Sequence, residues 1–398
     1  MNKFTRPSFL IIFISTITLT SCKKNINIGN KIYVVERASE KMAVIDISTM
    51  ELLHKIPMNA NLRHVSMVFD AALKYGYTST RNGRLARIDL ETMKYAGYLP
   101  TSKNSIGLAI SQDGKTVAVS EYKPGGITLI DVESFKVVQM IKSTVKFKGK
   151  EITSRITGLV DAGNNTFVCA LMDAQEIWVI GKKNPSDKNE KYSVLHRIKA
   201  AAANPFDAMI TPEGRYYVTG HFDSNIASLV DLWNITKTAR TIKLEEEKVS
   251  RIPVKMPHME AWAMTSGKIF VPAPGVKKLY VLSGKIFKVL RSIKLIGDPV
   301  YAVVHPNQRE IWVTFSGDVD GKIQIINTQS EKTKKILDVG KKIYHLVFTP
   351  KGEKALVSSN MTNEFIAINP FTYKVTKKIK IDSPSGIFGV WRAFQIGL

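Results

Sequence analysis

The feature that most constrains the fold is a unit of 42 to 52 residues that recurs along the chain. In its first copy, short apolar strands at 33–35, 43–45 and 52–56 are separated by polar turns. The second of these strands ends at Asp46, and equivalent ends recur at Asp89, Asp131, Gly181, Asp231, Ser283, Asn327 and Asn369. Repeats of this length with about four strands each are typical of β-propeller blades. A β-sandwich would not give eight similar units, so the sequence predicts an all-β, eight-bladed β-propeller over residues 31–398.

The N-terminus has the pattern of a targeting segment. Two basic residues precede an apolar stretch at 9–19, which is followed by Leu-Thr-Ser-Cys ending at Cys22. This arrangement resembles a bacterial lipobox, in which the cysteine is lipidated; an ordinary secretory signal with an incidental cysteine is the alternative. We therefore expect a lipoprotein signal peptide at 1–21, an acylated Cys22 with a tether at 22–30, and a periplasmic, lipid-anchored protein.

Cysteine content and charge narrow the ligand classes. Cys169 lies in an apolar run and is expected to be a buried small hydrophobe. No Cys-x-x-Cys-His motif occurs, so covalent attachment of a c-type haem is not expected. The net charge of +23 favours anionic ligands or an anionic membrane surface, while nucleic acid is an unsuitable partner for an exported protein.

The repeat register predicts which side chains converge on the central channel. One row contains His64, Ser105, Arg155, Pro205, His258, Pro299 and Ile343. A second row, two residues later and on the same face, contains Ser66, Gly107, Thr157, Asp207, Glu260, Tyr301 and His345. Three of the seven histidines fall in these rows, which predicts a functional channel mouth rather than isolated structural histidines.

The chemistry of these residues favours one kind of ligand. Imidazoles bind metals or transfer protons, and guanidinium groups such as those of Arg63 and Arg155 pair with carboxylates. Flat contact surface would come from Phe206, Trp262, Tyr301, Tyr344 and Phe388. A haem-like tetrapyrrole with acidic side chains fits better than a simple zinc site, and no phosphate loop, hydrolase triad motif or HExxH motif occurs.

Several long segments resemble the NirF family of haem d1 biosynthesis proteins and, more distantly, the d1-binding propeller of cytochrome cd1 nitrite reductase. They are NSIGLAISQDG at 104–114, SEYKPGG at 120–126, RITGLVDAGNNTFV at 155–168, PFDAMITPEGRYYVTG at 205–220, KMPHMEAWAM at 255–264 and SPSGIF at 383–388. The resemblance implies non-covalent binding of haem d1 or a dihydro-haem d1 precursor. It also implies that His64 is the axial iron ligand, that His258 lies on the distal side, and that Arg155 and Asp207 contact substituents of the macrocycle.

The sequence also departs from the family pattern and leaves the chemistry open. Phe206 stands where relatives have a second distal histidine, and no cytochrome c domain is present to relay electrons. The protein is therefore interpreted as carrying or modifying the cofactor, with His258 as candidate acid/base, Asp207 beside it, and Arg63, Tyr301 and His345 as further binding residues. No metal beyond the haem iron is expected.

We expect cytochrome cd1 nitrite reductase and dihydro-haem d1 dehydrogenase-like proteins as partners. The alternative is a protein-interaction platform at the membrane surface, without tetrapyrrole chemistry. A quinone- or sugar-dehydrogenase propeller would require an acidic calcium-ligand cluster, which the sequence lacks.

Overall fold

The computed structural model is a ring of eight four-stranded antiparallel sheets, which confirms the predicted eight-bladed propeller. It describes residues 27–63, 65–187, 189–222, 224–244, 262–265 and 267–397. The signal peptide, Cys22 and the first part of the predicted tether lie outside these residues. Within them, no helix is both long enough and apolar enough to cross a bilayer.

The strands of the first half of the ring are β1 (Lys31–Glu36), β2 (Lys41–Asp46), β3 (Glu51–Pro57), β4 (Met67–Phe69), β5 (Tyr75–Thr80), β6 (Arg84–Asp89), β7 (Lys94–Pro100), β8 (Asn104–Ile110), β9 (Thr116–Lys123), β10 (Gly126–Asp131), β11 (Lys136–Ile141), β12 (Thr144–Phe147), β13 (Lys150–Thr153), β14 (Ile156–Ala162), β15 (Thr166–Leu171), β16 (Glu176–Gly181) and β17 (Ser193–Lys199). The second half contains β18 (Pro205–Ile210), β19 (Tyr216–His221), β20 (Ile226–Asp231), β21 (Arg240–Lys243), β22 (Ala263–Thr265), β23 (Lys268–Ala273), β24 (Lys278–Ser283), β25 (Val289–Lys294), β26 (Asp298–Val304), β27 (Glu310–Ser316), β28 (Lys322–Asn327), β29 (Thr333–Asp338), β30 (Ile343–Phe348), β31 (Ala355–Ser359), β32 (Glu364–Asn369), β33 (Lys374–Lys380) and β34 (Pro384–Gly389). Short 3-10 helices are η1 (Ile28–Asn30), η2 (Gly163–Asn165), η3 (Gly317–Val319) and η4 (Val390–Phe394).

The two ends of the chain close the ring within one sheet. Blade 1 has the order β3-β2-β1-β34, so its innermost strand comes from the C-terminal end of the chain. Tyr33 pairs with Phe388 and Val34 with Ile387 in this antiparallel ladder. Blades 2 to 8 begin with β4, β8, β14, β18, β22, β26 and β30, and each is built from four consecutive strands.

The innermost strands give the ring two distinct faces. We call the face where these strands begin the mouth face, and the face where they end the lower face. Lys31 belongs to the lower face, because its Nζ donates to the carbonyl of Leu90, which directly follows β6, at 2.5 Å. Helix η1 therefore lies on the lower face, where it contacts η4.

The eight predicted strand ends are the last residues of β2, β6, β10, β16, β20, β24, β28 and β32, so the repeat assignment is confirmed in every blade. The preference for Asp or Asn at this position has a local cause. The Oδ1 atom of Asp46 accepts hydrogen bonds from the backbone N–H groups of Ser48 and Thr49, at 2.7 and 3.2 Å. Asn369 accepts equivalent bonds from Phe371 and Thr372. Such side-chain-to-backbone bonds fix a tight turn between two strands.

Two of the long repeat spacings also have structural causes. Between Asp131 and Gly181 the chain inserts β12 and β13, which form a two-stranded sheet of their own. Between Gly181 and Asp231 the connection from β16 to β17 is lengthened by a loop over 182–192.

Apolar side chains pack between neighbouring blades. One buried cluster joins Tyr77 and Leu85 of blade 2 to Val117 and Val119 of blade 3, and similar clusters join other adjacent pairs. Each interface between blades is thus a small hydrophobic core of its own. The chain can therefore be longer than a chain that folds around a single hydrophobic core. Cys169 is fully buried in the core of blade 4, as predicted, and burial raises the pKa of its thiol.

Candidate functional site

A cavity of about 660 Å³ occupies the mouth face of the channel. Its volume lies within the range of about 300–1,000 Å³ that small-molecule and cofactor sites typically have. Its wall comes from the beginnings of the innermost strands and from the connections at the mouth face. Among the predicted site residues, the wall includes Arg63, Phe206, Asp207, Tyr301, Tyr344 and His345.

A shared backbone contact supports the predicted second row of channel residues. The N–H groups of Gly107, Tyr301 and His345 each donate to a hydroxyl on the next strand, that of Ser120, Thr314 or Ser358, at 2.8, 3.3 and 2.9 Å. In all three blades the strand pairing is irregular around this position. The register predicted from the sequence is therefore correct for Gly107, Tyr301 and His345.

The register in blade 4 differs from the prediction by one residue. In blade 4, the residue that pairs with the second strand at the position of Ser105 in blade 3 is Ile156 and not Arg155. Gly158 consequently takes the cavity position that was predicted for Thr157, and Gly158 is part of the wall. Arg155 precedes β14 and lies beside the wall. The additional β12–β13 hairpin, which ends just before it, is the reason that sequence spacing was misleading here.

Arg155 is held by a carboxylate of its own blade. Its Nη2 and Nε atoms donate to Asp173, at 2.6 Å to Oδ1 and 3.1 Å to Oδ2. These bonds raise the pKa of Arg155. For Asp173, burial acts to raise the pKa, but the hydrogen bonds from Arg155 outweigh it and lower the pKa. Arg155 thus already has a bidentate partner, and a ligand carboxylate would share or replace that pair.

Sequence reasoning missed Arg81, which lies on the cavity wall in the turn after β5. Its Nη1 atom is buried and has no hydrogen-bond partner among the described residues. The guanidinium carbon is 5.6 Å from the centre of the Tyr122 ring, and that of Arg155 is 5.9 Å from the same ring. A buried, unpaired guanidinium nitrogen gains most from a carboxylate acceptor, because leaving it unpaired is costly. The repeat logic would have found Arg81 had it been applied to the mouth-face turns as well as to the first strands.

Further cations surround the mouth. Arg63 and Lys342 belong to the wall, and the guanidinium carbon of Arg37 is 4.8 Å from the ring centre of Tyr344. The described acidic residues of the wall are Asp207 and Asp320. The described wall therefore has a positive balance, which suits a ligand with several carboxylates.

Asp207 adopts a left-handed backbone conformation, with φ of +48°. Such a conformation in a residue other than glycine is costly and is often associated with a functional position. Its carbonyl accepts a hydrogen bond from the Oγ1 of Thr219 at 2.7 Å, which helps to hold the strand in this shape. The carboxylate is near Tyr122: burial, followed by the charge of Asp207, raises the pKa of this tyrosine to about 12.

His345 and Tyr301 form a buried pair on one side of the cavity. Their ring centres are 5.4 Å apart, and both side chains are more than nine-tenths buried. The Nδ1 of His345 accepts the N–H of Ile387 at 3.0 Å, so the neutral ring carries its proton on Nε2. Burial, with a smaller contribution from Tyr344, raises the pKa of Tyr301. The Tyr301 hydroxyl and the His345 ring are therefore uncharged polar groups of the wall.

The aromatic predictions are partly wrong. Phe206 lines the cavity and packs against Phe222 with ring centres 4.3 Å apart. Trp262 instead lines a second cavity of about 740 Å³ at the lower face. Phe388 is fully buried, because its side chain packs in the cluster shared by blades 1 and 2.

The floor between the two cavities is the segment 390–397, of which Arg392 and Gly397 line both cavities. The N–H of Gly397 donates to Oδ1 of Asp161 at 2.8 Å. Asp161 is buried, and burial raises its pKa to about 6 against the lowering effects of backbone hydrogen bonds and Arg392.

The predicted axial ligand His64, the candidate acid/base His258 and the lipidation site Cys22 lie outside the described residues. The neighbours Arg63 and Val65 are both on the cavity wall. Among the residues that the structure describes, no group of three or more His, Cys, Asp or Glu side chains is arranged to hold a metal ion.

The cavity wall suits a ligand that carries carboxylates, because its cations outnumber its described acidic residues and Arg81 offers an unpaired donor. Fold and site together define a cofactor-binding β-propeller with its pocket at the channel mouth.

Comparisons with known proteins identify the family. Residues 26–393 match the family described as cytochrome D1 heme domain. The chain is 33% identical to Protein NirF of Pseudomonas aeruginosa over 367 residues, covering 92% of each chain. It is 31% identical to Protein NirF of Stutzerimonas stutzeri over 395 residues, covering 99% of this chain and 100% of that protein. The chain therefore belongs to the NirF family, within the wider group of cytochrome D1 heme domains.

A solved structure supports the fold. Dihydro-heme d1 dehydrogenase NirN in complex with DHE superimposes with a TM-score of 0.78 at 22% identity, covering 92% of this chain and 77% of that one. The dihydro-heme d1 dehydrogenase of Pseudomonas aeruginosa is also related in sequence, with 24% identity over 372 residues, 91% of this chain and 71% of that protein.

Proposed function

We propose that this protein binds haem d1 or a late precursor, non-covalently, in the mouth-face cavity. Membership of the NirF family gives it a role in haem d1 biosynthesis or handling. The observation that carries the binding proposal is the buried, unpaired Nη1 of Arg81 on the wall of a cavity of suitable size. A tetrapyrrole with acidic substituents would supply the carboxylate that this nitrogen lacks.

In this proposal each side of the cavity has a distinct task. Arg63 and Arg81 bind carboxylates from the wall, and Arg155 acts from beside it together with Asp173. Tyr301 and His345 donate hydrogen bonds from the opposite side, while Phe206 gives an apolar contact. His64 as axial ligand and His258 as acid/base, with Asp207 beside it, remain proposals from the sequence. The bound haem would supply redox and ligand-binding chemistry at its iron.

Non-covalent binding is supported by the cysteine inventory. The chain has two cysteines, and Cys169 is fully buried in blade 4 with its pKa raised, so it is unsuited to thioether formation. The other, Cys22, belongs to the proposed lipobox. Whether the protein also performs an oxidoreductase-type modification depends on an outside electron partner, since the chain has no c-type haem motif. Phe206 in place of a distal histidine favours carrying or handing over the cofactor.

We also propose that Cys22 is lipidated and anchors the protein in the periplasm. The described chain starts at Asn27 on the lower face, only five positions after Cys22. Five residues span at most about 18 Å. A lipid anchor would therefore hold the lower face against the membrane and direct the mouth of the cavity away from it. In this orientation a partner such as cytochrome cd1 nitrite reductase or a dihydro-haem d1 dehydrogenase-like protein could reach the mouth.

The experiment that tests binding is a titration of the soluble form, residues 23–398, with haem d1, followed by absorption spectroscopy. We expect a saturable one-to-one spectral change, and a strongly altered spectrum for His64→Ala. Absence of any spectral change with the wild type would overturn the binding proposal in favour of a protein-interaction platform. If His64→Ala gives the same spectra as the wild type, the protein binds the cofactor but His64 is not its iron ligand.

A further inference from the structure

The hairpin of β12 and β13 is an addition to the propeller plan. It lies between the last strand of blade 3 and the first strand of blade 4, and it pairs with neither. It is the only one of the described connections between blades that forms a sheet of its own. The insertion is not required to close the ring, so its structure calls for another explanation.

The hairpin is fixed firmly at the mouth face. Ser154 donates its N–H to the carbonyl of Ser143 at 3.1 Å, which closes the base of the hairpin. Val145 is 4% exposed and packs in the same buried cluster as Ile156 and Leu171 of blade 4. Gly125 comes three residues after the cavity residue Tyr122 and belongs to a turn that lies against Ser154. The hairpin is thus packed against blade 4 at the mouth face, beside the cavity.

The exposed part of the hairpin carries unbalanced positive charge. Lys142, Lys148 and Lys150 are exposed, and none of them forms an ion pair with a described carboxylate. Lys146 lies opposite Glu151 in the strand register, so this pair is locally balanced. Lys148 and Lys150 flank the tip at Gly149, whose surroundings are open.

We propose that this hairpin is a docking surface for an acidic patch on the protein that exchanges the tetrapyrrole with this one. The proposal rests on the proposed function, because it places the docking surface at the rim of the cofactor cavity. A positive projection beside a cavity mouth orients an acidic partner electrostatically before contact. The occupant is a protein, since η1, which follows the proposed anchor in sequence, lies on the lower face and the hairpin on the opposite one. Anionic lipid of the anchoring membrane would therefore be out of reach.

The test compares the wild type with Lys148→Glu/Lys150→Glu. The control is Lys374→Glu/Lys377→Glu, which makes the same charge change on the exposed outer strand β33 of blade 8. The probe is the d1-free form of a cytochrome cd1 nitrite reductase. Its association rate constant is measured at low and at high ionic strength, alongside the titration with haem d1 and binding to vesicles of anionic phospholipid.

We expect the hairpin variant to associate about ten-fold or more slowly than the wild type at low ionic strength, with little difference at high ionic strength. The control should lose much less, and haem d1 binding should be unchanged in both variants. Equal association rates for wild type and hairpin variant would overturn the proposal. So would a hairpin variant whose defect is confined to vesicle binding. If the wild type fails to bind haem d1 while hairpin-dependent association persists, the proposed function fails and the docking surface stands.

Discussion

The carboxylate of Asp161 accepts a hydrogen bond from the backbone N–H of Gly397, joining the innermost strand of blade 4 to the segment that forms the cavity floor. The two residues are 236 positions apart in sequence. Ile396, next to Gly397, packs into the cluster that includes Val160 and Ile210. The C-terminal end of the floor is therefore held by this buried polar contact and by the apolar packing of Ile396.

The raised pKa of Asp161 predicts a pH-dependent stability. Its pKa is about 6 in the folded protein and near 3.8 without burial, so the folded state binds the proton more tightly than the unfolded state. Stability therefore falls as the pH rises through this window, because ionisation of the buried carboxyl is unfavourable. Asp161→Asn keeps an oxygen acceptor for Gly397 and removes this titration. We expect it to raise the free energy of unfolding at pH 7 by about 3 kcal/mol at most.

Denaturant unfolding at several pH values between 4 and 7 measures this effect. The wild type should lose stability relative to Asp161→Asn as the pH rises. A constant difference between the two proteins across the range would mean that Asp161 does not titrate there.

Arg81 should contribute strongly to cofactor affinity. Replacing it in Arg81→Gln removes the charged donor whose Nη1 is unpaired on the cavity wall. Hydrogen bonds to charged groups contribute about 1.5–3 kcal/mol, so the dissociation constant for haem d1 should rise about 10-fold to 100-fold. Arg84→Gln is the matched control, because Arg84 lies near Tyr98, away from the cavity. Similar dissociation constants for Arg81→Gln and the wild type would remove Arg81 from the binding site.

His345 should have a structural task that is separable from its proposed role in binding the cofactor. His345→Phe removes the acceptor for the Ile387 N–H, which would then be buried without a partner at a cost of about 1–3 kcal/mol. His345→Gln offers a side-chain oxygen instead and should lose less stability. Thermal and denaturant unfolding of the cofactor-free proteins distinguish the two. Equal stabilities would show that the contact with Ile387 contributes nothing measurable.

Gly158 should tolerate no side chain. Its φ is +54°, and an added Cβ would lie 2.8 Å from the Cβ of Ala208 and 2.9 Å from the hydroxyl of Tyr217. We expect Gly158→Ala to lower the free energy of unfolding by about 2–4 kcal/mol, from backbone strain and overpacking together. Gly149→Ala separates the two causes, because Gly149 also has positive φ but nothing lies within 4 Å. If both variants lose the same stability, crowding at Gly158 is not significant.

The ring could be predicted from sequence because its signals are local. The Asp or Asn that ends a strand bonds to backbone groups two or three residues later, so six of the eight blades carry this marker, while Gly181 and Ser283 stand at the same position in the other two. The channel positions of Tyr301 and His345 followed from counting within such blades. Where the count crossed an insertion, as at Arg155, it was wrong by one residue.

Other parts of the site depend on contacts between distant segments and could not be counted. Phe388 was predicted to give flat contact surface at the channel mouth, but its side chain packs in the buried cluster shared by blades 1 and 2. The position of Arg81 in a mouth-face turn could have been counted from the repeat, but its unpaired nitrogen is a property of burial and has no sequence pattern. The floor at 390–397 is formed by a segment outside the repeat and had no signal.

The sharing of blade 1 between the two ends of the chain has a consequence for biogenesis. Ser385 and Gly386, on the last described strand of the chain, are part of the cavity wall. During synthesis the nascent protein can form most of its blades before this strand is made, yet it has no complete pocket until the strand joins β1. A ribosome-bound chain that lacks this strand is thus unable to take up the cofactor prematurely, and loading is restricted to molecules whose ring is closed.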